Sequence, residues 1–343
     1  MDFIFTEDQR TITEAAREML VENATPAAYR SMLERGEARD ADRWAMIRDM
    51  GLLSMLAPED KGGLGMTIVD LVGIAEAAGY VALPEPLIEQ AGIIVPLLAR
   101  VDDDRGWLDK LLDGANIAVG HPVNSFVENA DHADALILSD GDMLHIVNRA
   151  DVTLTEQKSI DQLRRLYSVE WSPSNATALG AGWGDTLERG AILAAAQLVG
   201  LGQRCIDMSV AYTTERQQFG KPIGSYQAVK HMLADPSVRI EFARPVVHAA
   251  AAEMDIGNLA AQARAAHAKI AAGAAADLAA RNAVQAHGAM GMTWEVDLHF
   301  FFKRALALNY AWGSPAVHAK RIAERMANLP LGPDASFASE LNS

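Results

Sequence analysis

Residues 212–231 read YTTERQQFGKPIGSYQAVKH and lie inside a long region with helical patterning. Arg216 carries a planar, permanently charged guanidinium that can bind two phosphate oxygens at once. Three residues later, Phe219 offers a flat apolar face, and Gly220 permits a sharp turn beside it. The stretch therefore combines a phosphate-binding side chain, an apolar surface and a turn. Alternatively, Arg216 is a solvated charge that interacts favourably with the dipole at the C-terminal end of a helix.

Helical patterning extends outward from this stretch. It is strong from about residue 183 to 329, where runs such as 271–280 are rich in alanine, the residue with the highest helix propensity. We predict a C-terminal four-helix bundle domain over 176–329, with a break between two helices at 255–258 and a loose polar tail over 330–343. Pro236 predicts an interruption of the helix that follows His231.

The earlier parts of the chain have two different patterns. Residues 1–114 predict an N-terminal helical domain, opened by a capping box of Thr6 and Gln9 and interrupted by a glycine-rich loop at Pro58–Gly65. Residues 115–175 predict a shortened β domain, whose clearest feature is a hairpin around an Asp-Gly turn at Asp140–Gly141. The predicted fold class is therefore mainly α, with a reduced β unit in the middle.

Three motifs together carry a family resemblance. Pro58–Gly65 reads PEDKGGLG, Arg216–Gly220 reads RQQFG, and Gln285–Gly291 reads QAHGAMG. They resemble, in order and in rough spacing, the Pro-Glu-x-x-Gly-Gly-x-Gly loop, the Arg-x-x-Phe-Gly turn and the Gln-x-x-Gly-Gly-x-Gly turn of the acyl-CoA dehydrogenase family. The resemblance covers about residues 1 to 329 and implies that family's fold.

The same resemblance implies an FAD cofactor and an acyl-CoA substrate. In the family, the Arg-x-x-Phe turn and the Gln-x-x-Gly turn hold the ADP half of the FAD that is seated in the neighbouring subunit. By resemblance, this role falls here to Arg216, Phe219, Gln285 and Gly288, with Gln218, Gln227 and Gly291 as further candidates. Electron-transfer flavoprotein is a further partner that the resemblance implies, and no metal site is predicted.

The catalytic base of the family is harder to find. Its reaction needs a glutamate that takes the α-proton of the thioester while the β-hydrogen leaves as hydride to the flavin. One family position lies in a Tyr-Glu-Gly-Thr segment, which here reads YAWGS at 310–314 and places Trp312 where the base would be. The other falls near Gly190, and the nearest carboxylate is Glu188, about 200° away on a helix. Glu188 is either a displaced base or an acid that stabilises a helix start beside Arg189.

The middle region also departs from the family pattern. It contains neither the Thr-Glu-Pro-x-x-Gly-Ser-Asp segment nor the Trp-Ile/Val-Thr segment, both of which touch the flavin ring in the family. The residues that serve a neighbour's FAD are thus present, whereas those that hold the ring and move the proton are absent. The chain therefore resembles the short subunits that pair with a full-length subunit in heteromeric, α2β2-type enzymes acting on bulky acyl-CoAs such as steroid side-chain thioesters.

Bulk properties exclude other classes of function. The net charge is −15 and no long basic run occurs, which argues against a nucleic-acid partner. The N-terminus shows neither a basic start nor an apolar core of signal-peptide length, and the longest apolar-rich run, at 190–202, is shorter than a membrane span. Cys205 is the single cysteine, so no internal disulfide is possible, and an apolar helical context predicts a buried structural thiol in a cytoplasmic protein.

Three hypotheses follow from these observations. The first is a subunit that contributes FAD binding to a partner carrying the base. The second is a self-sufficient homo-oligomeric acyl-CoA dehydrogenase that uses Glu188. The third is a non-catalytic scaffold that kept the fold.

Overall fold

A computed structural model of the chain describes residues 5–37, 39–101, 106–180, 182–254 and 259–328. The predicted helix break at 255–258 and the predicted tail at 330–343 lie outside these residues. The α-helices, α1 to α12 in chain order, span Glu7–Asn23, Pro26–Arg35, Ala41–Asp49, Ile68–Tyr80, Leu87–Glu89, Val95–Arg100, Trp107–Leu112, Thr186–Glu215, Gln227–Ala252, Leu259–His287, Leu298–Tyr310 and Pro315–Asn328. The strands, β1 to β9, span Ile117–Val119, Val127–Glu128, Ala135–Asp140, Met143–Asn148, Thr153–Gln157, Leu166–Glu170, Thr177–Ala178, Gln217–Gln218 and Lys221–Pro222. The predicted class, mainly α with a small β region, is confirmed.

The chain folds into two compact units. The first consists of residues 1–10, 72–82 and 191–343, and the second of residues 11–71 and 83–190. The sequence-based boundaries of the three domains stay predictions, because these units join segments that are distant along the chain.

In the first unit, α10 packs against α9, α11 and α12. Small residues permit close approach, since alanines occupy most of the buried positions of α10. The part of α4 that belongs to the first unit crosses α8 closely: a Cβ added at Gly200 would overlap the backbone at Glu76 and Tyr80. Glycine is required there because no side chain fits between the two backbones.

The helix after His231 does not break at proline. α9 runs without interruption through Pro236 and Pro245, so the predicted interruption is wrong. A proline has no N–H to donate to the carbonyl four residues earlier, which here belongs to Met232. Asn282 Nδ2 of α10 donates to that carbonyl oxygen at 2.6 Å. A neighbouring helix therefore supplies the hydrogen bond that the proline removes.

The second unit holds two small sheets. Their strand orders are β1-β3-β4-β7 and β2-β6-β5. β3 and β4 form the predicted hairpin, with Asp140 opposite Met143 and Gly141 in the left-handed region at φ +58°. The hairpin packs its apolar face on a core that includes Leu136, Val147 and Tyr167.

The predicted capping box is present at the start of α1. The Thr6 N–H donates to Gln9 Oε1 at 2.9 Å, and the Gln9 N–H donates to Thr6 Oγ1 at 3.2 Å. These reciprocal bonds satisfy backbone donors that have no partner within the helix. Among the helices of the described residues, none combines the length and the apolar character needed to cross a bilayer.

Cys205 is fully buried in α8, as predicted. Burial raises the pKa of its thiol to about 12, and the thiol is a poor nucleophile because only the thiolate attacks. We expect the native chain at pH 8 to react with Ellman's reagent far more slowly than the chain in guanidinium chloride, which exposes one thiol. Equal rates in the two conditions would contradict the burial.

Candidate functional site

The turn that follows α8 is fixed by its own backbone. The Arg216 N–H donates to the Tyr212 carbonyl at 2.9 Å, and the Arg216 carbonyl accepts from the Ile223 N–H at 2.8 Å. Between these bonds, β8 and β9 pair as a short antiparallel hairpin. Phe219 and Gly220 form its tip, so the hairpin presents Phe219 at a defined point of the surface.

Phe219 is in an unusual state for a large apolar residue. Its side chain is 92% exposed, and its φ is +53°, in the left-handed region. A bulky residue in that region costs on the order of 1 kcal/mol or more. Phe219 therefore gains little from packing within the chain, as expected of a side chain that contacts another molecule.

Two more candidates lie in the hairpin and shortly after it. Gln218 lies in β8 and Gln227 opens α9, and both side chains are exposed. Tyr226 contacts the hairpin, and its hydroxyl donates to the Gln218 carbonyl at 3.5 Å. The Lys221 Nζ lies 4.2 Å from the centroid of the Tyr226 ring, a cation–π geometry.

The Gln285–Gly291 motif lies at the C-terminal end of α10 and continues just beyond it. Gln285 is exposed in its last turn, and Gly288, which follows the helix, is exposed with φ +60°. A Cβ built at Gly288 would meet nothing within 4 Å, so the space beside this backbone is open to a ligand. Gly291 differs, because it is buried and a Cβ there would lie 2.7 Å from the Val284 carbonyl oxygen. Close packing against the end of α10 thus explains why position 291 is a glycine, without any role in binding a ligand.

The structure brings these two motifs together. The ring of Tyr212, near the end of α8, stacks on the ring of His287, the last residue of α10, with centroids 4.3 Å apart and planes 23° apart. No sequence pattern indicated that these two rings stack. The available signal was positional: Tyr212 lies four residues before Arg216, and His287 immediately precedes Gly288.

The position that the family resemblance assigns to the base is occupied by an indole. Trp312 is buried between α11 and α12, with φ +57°. The His318 Nε2–H donates to the Trp312 carbonyl at 2.8 Å, and burial lowers the pKa of His318 to about 4. Lys269 Nζ donates to the Asn309 carbonyl at 2.9 Å at the end of α11. These bonds hold a turn, Ala311–Ser314, that contains no carboxylate.

Glu188 lies at the opposite end of α8 from Arg216. It is in the first turn of α8, whereas Arg216 follows the last residue of that helix. Its side chain is buried, with 8% exposure. A carboxylate in a first helical turn interacts favourably with the helix dipole, which is the structural role that the sequence analysis left open.

The second unit contains an open cleft of about 290 Å³. It lies between the β1–β2 loop, residues 120–126, and side chains that include Leu138, Tyr167 and Trp171. The residues that line it include no carboxylate, so the cleft offers no base of the type that the family uses. Within the part of the chain that the structure describes, no group of three or more His, Cys, Asp or Glu residues is arranged to hold a metal ion.

Comparisons with known proteins agree with this architecture. Residues 6–113 match the acyl-CoA dehydrogenase N-terminal domain, and residues 182–327 match the acyl-CoA dehydrogenase C-terminal domain. Solved structures with a similar fold include chains of two steroid-type or two-protein complexes. A chain of the ChsE4-ChsE5 complex from Mycobacterium tuberculosis has a TM-score of 0.84 at 23% identity, covering 96% of this chain and 100% of that one. A chain of the Tcur3481-Tcur3483 steroid ACAD has a TM-score of 0.83 at 23% identity, covering 94% and 98%.

A relative in sequence settles the family. Acyl-CoA dehydrogenase IpdE2 of Mycolicibacterium smegmatis is 32% identical over 318 residues, which are 92% of this chain and 98% of that protein. The match extends across both units and the β region between the two family domains. With both domains and nearly the whole length of such a relative matched, the chain belongs to the acyl-CoA dehydrogenase family.

Proposed function

We propose that this chain is a subunit of an FAD-dependent acyl-CoA dehydrogenase, and that it binds the ADP half of an FAD seated in a partner subunit. The partner carries the catalytic base. One observation supports this proposal above all: the Arg216 turn and the Gln285 turn are exposed and joined by a ring stack, whereas buried Trp312 stands at the family's base position. The members of this family are FAD flavoproteins.

The residues present fit such a ligand. The exposed guanidinium of Arg216 suits pyrophosphate oxygens, which it can bind in a two-point fashion. Phe219 supplies a flat apolar face, and the amide of Gln285 both donates and accepts hydrogen bonds. The open space beside Gly288 lets a ligand approach the backbone. When bound, FAD supplies the acceptor for the hydride that leaves the β-carbon of the acyl-CoA.

The proposal includes a heteromeric assembly. Solved structures with this fold include two-protein complexes, one of them named a steroid ACAD. We therefore propose a full-length acyl-CoA dehydrogenase as the partner, a bulky acyl-CoA such as a steroid side-chain thioester as the substrate, and electron-transfer flavoprotein as the electron acceptor. A single buried cysteine fits a cytoplasmic location.

A second candidate function rests on Glu188. A buried carboxylate in the first turn of α8 is a residue type that can act as a general base. In that case the chain is a self-sufficient homo-oligomeric enzyme. The Glu188→Gln variant separates the two candidates.

Replacing Arg216 tests the proposed function directly. In the complex with the partner subunit, Arg216→Ala removes charge-assisted hydrogen bonds to phosphate, and we expect FAD to bind about ten- to a hundredfold more weakly. Equilibrium titration of the apo-complex, followed by flavin fluorescence, measures the dissociation constant.

The matched control is Arg239→Ala. Arg239 is also an exposed arginine of the first unit, paired with Asp235 on α9 at 3.1 Å, and its loss should leave the FAD affinity unchanged. FAD affinity that is equal in the wild-type complex and in Arg216→Ala would overturn the proposal and favour a scaffold without a flavin role.

A further inference from the structure

We propose that Tyr212 and His287 act as one positioning unit, which holds the two FAD-facing turns in register. This inference rests on the proposed function, and it assigns a role to two residues outside the set expected to touch FAD. The rings are parallel to within 23°, with centroids 4.3 Å apart, a geometry in which aromatic pairs attract each other.

On the side of α8, Tyr212 acts through its backbone as well as its ring. Its carbonyl accepts the N–H of Arg216 at 2.9 Å, so the position of Tyr212 sets where the turn begins. The turn is then closed by the bond from Ile223 and by the hairpin. A displacement of Tyr212 would therefore move Arg216 and Phe219 together, because backbone hydrogen bonds and the hairpin pairing connect all three.

On the side of α10, His287 is held in a single orientation. Its Nδ1–H donates to the Ala283 carbonyl at 2.8 Å, and burial lowers its pKa below the ordinary value. The hydrogen bond to Ala283 fixes the plane of the ring for stacking. Gln285, two residues earlier, is rotated by about 200° around the helix and is exposed. When His287 faces Tyr212, Gln285 therefore faces outward.

The position of Gly288 also depends on the stacked ring of His287. It comes directly after His287 and turns the chain with φ +60°. All the residues predicted to touch FAD except Gln227 thus lie within four residues along the chain of a member of the stack, or within the turn closed by the Arg216–Ile223 bond. Removing either ring leaves both turns present but frees their relative position, so FAD must then order them on binding.

The test uses the complex with the partner subunit. We expect Tyr212→Ala and His287→Ala each to weaken FAD binding about three- to tenfold, the range of one aromatic pair. Tyr212→Phe keeps the stacking ring and should retain wild-type affinity. The double variant should bind FAD no more weakly than the poorer single variant, because the two residues act as one unit.

FMN provides the readout that general structural damage would not reproduce. FMN lacks the AMP portion of FAD and keeps one of its two phosphates, so Tyr212→Ala should weaken FMN binding far less than FAD binding. If Tyr212→Ala does not fold, Tyr212→Leu keeps apolar volume without a ring and serves instead. Tyr310→Ala is the matched control, since Tyr310 is an exposed tyrosine at the end of α11, and it should bind FAD like the wild type.

The outcomes separate this inference from the proposed function. Loss of FAD affinity in Arg216→Ala, together with wild-type affinity in Tyr212→Ala, overturns the positioning role alone. An equal loss of FMN and FAD binding in Tyr212→Ala, or additive effects in the double variant, also overturns it. Wild-type FAD affinity in Arg216→Ala overturns the proposed function and this inference with it.

Discussion

Co-expression with a full-length acyl-CoA dehydrogenase subunit is expected to raise acyl-CoA oxidation by about a hundred- to ten-thousandfold over the isolated chain, the usual contribution of a positioned general base. The reason is that the turn between α11 and α12 contains no carboxylate. Trp312 occupies the expected base position, is buried, and has no group that accepts a proton at neutral pH. Reduction of an artificial electron acceptor by a panel of acyl-CoA thioesters measures the effect.

Glu188 is the internal control for this experiment. Glu188→Gln removes the carboxylate while keeping the size of the side chain, and turnover of the complex should stay within about twofold of the wild type, since base loss costs at least about a hundredfold. Turnover by the isolated chain that Glu188→Gln abolishes, with FAD still bound, would instead establish the self-sufficient enzyme. Absence of both flavin and turnover in the complex would favour the scaffold.

Removing one partner of the buried ion pair in the second unit is expected to have the largest effect on stability. The Arg43 and Glu85 side chains are 2% and 0% exposed, and two hydrogen bonds join them: Nε to Oε2 at 2.8 Å and Nη2 to Oε1 at 2.5 Å. Glu85→Ala leaves the buried guanidinium with only a longer ion pair to Asp40 Oδ2 at 4.0 Å, and we expect a loss of about 3–5 kcal/mol in the free energy of unfolding. Urea denaturation followed by circular dichroism measures it.

Two variants show whether the buried charge is the cause. Asp235→Ala breaks an ion pair to Arg239 whose side chains are more than half exposed, and it should cost less than about 1 kcal/mol. The double variant Arg43→Met/Glu85→Leu removes both charges and should recover most of the stability lost in Glu85→Ala. A double variant as unstable as Glu85→Ala would show that shape, rather than charge, is responsible.

Local sequence patterns predicted much of the architecture. The capping box at Thr6, the hairpin around Gly141 and the burial of Cys205 all follow from short-range rules, and the structure confirms each. Such features depend on residues within a few positions of one another. The assignment to the family rests on three motifs that are also local, and it is confirmed by the comparisons.

Long-range contacts lay beyond the reach of those rules. Pro236 satisfied every local criterion for a helix break, yet Asn282 of another helix supplies the missing hydrogen bond. The pairing of Arg43 with Glu85 likewise joins residues far apart in the chain. No spacing rule identifies such partners, because they become neighbours only after the helices pack.

The amino-acid order alone therefore established the family, the mainly helical class and a set of residues suited to a dinucleotide, since each depends on local chemistry. Packing decided which of these residues share a surface. It joined the Arg216 and Gln285 turns through Tyr212 and His287, left Phe219 exposed and buried Trp312. The physical reason is that the proximity and exposure of side chains are properties of the assembled helices, which no single segment contains.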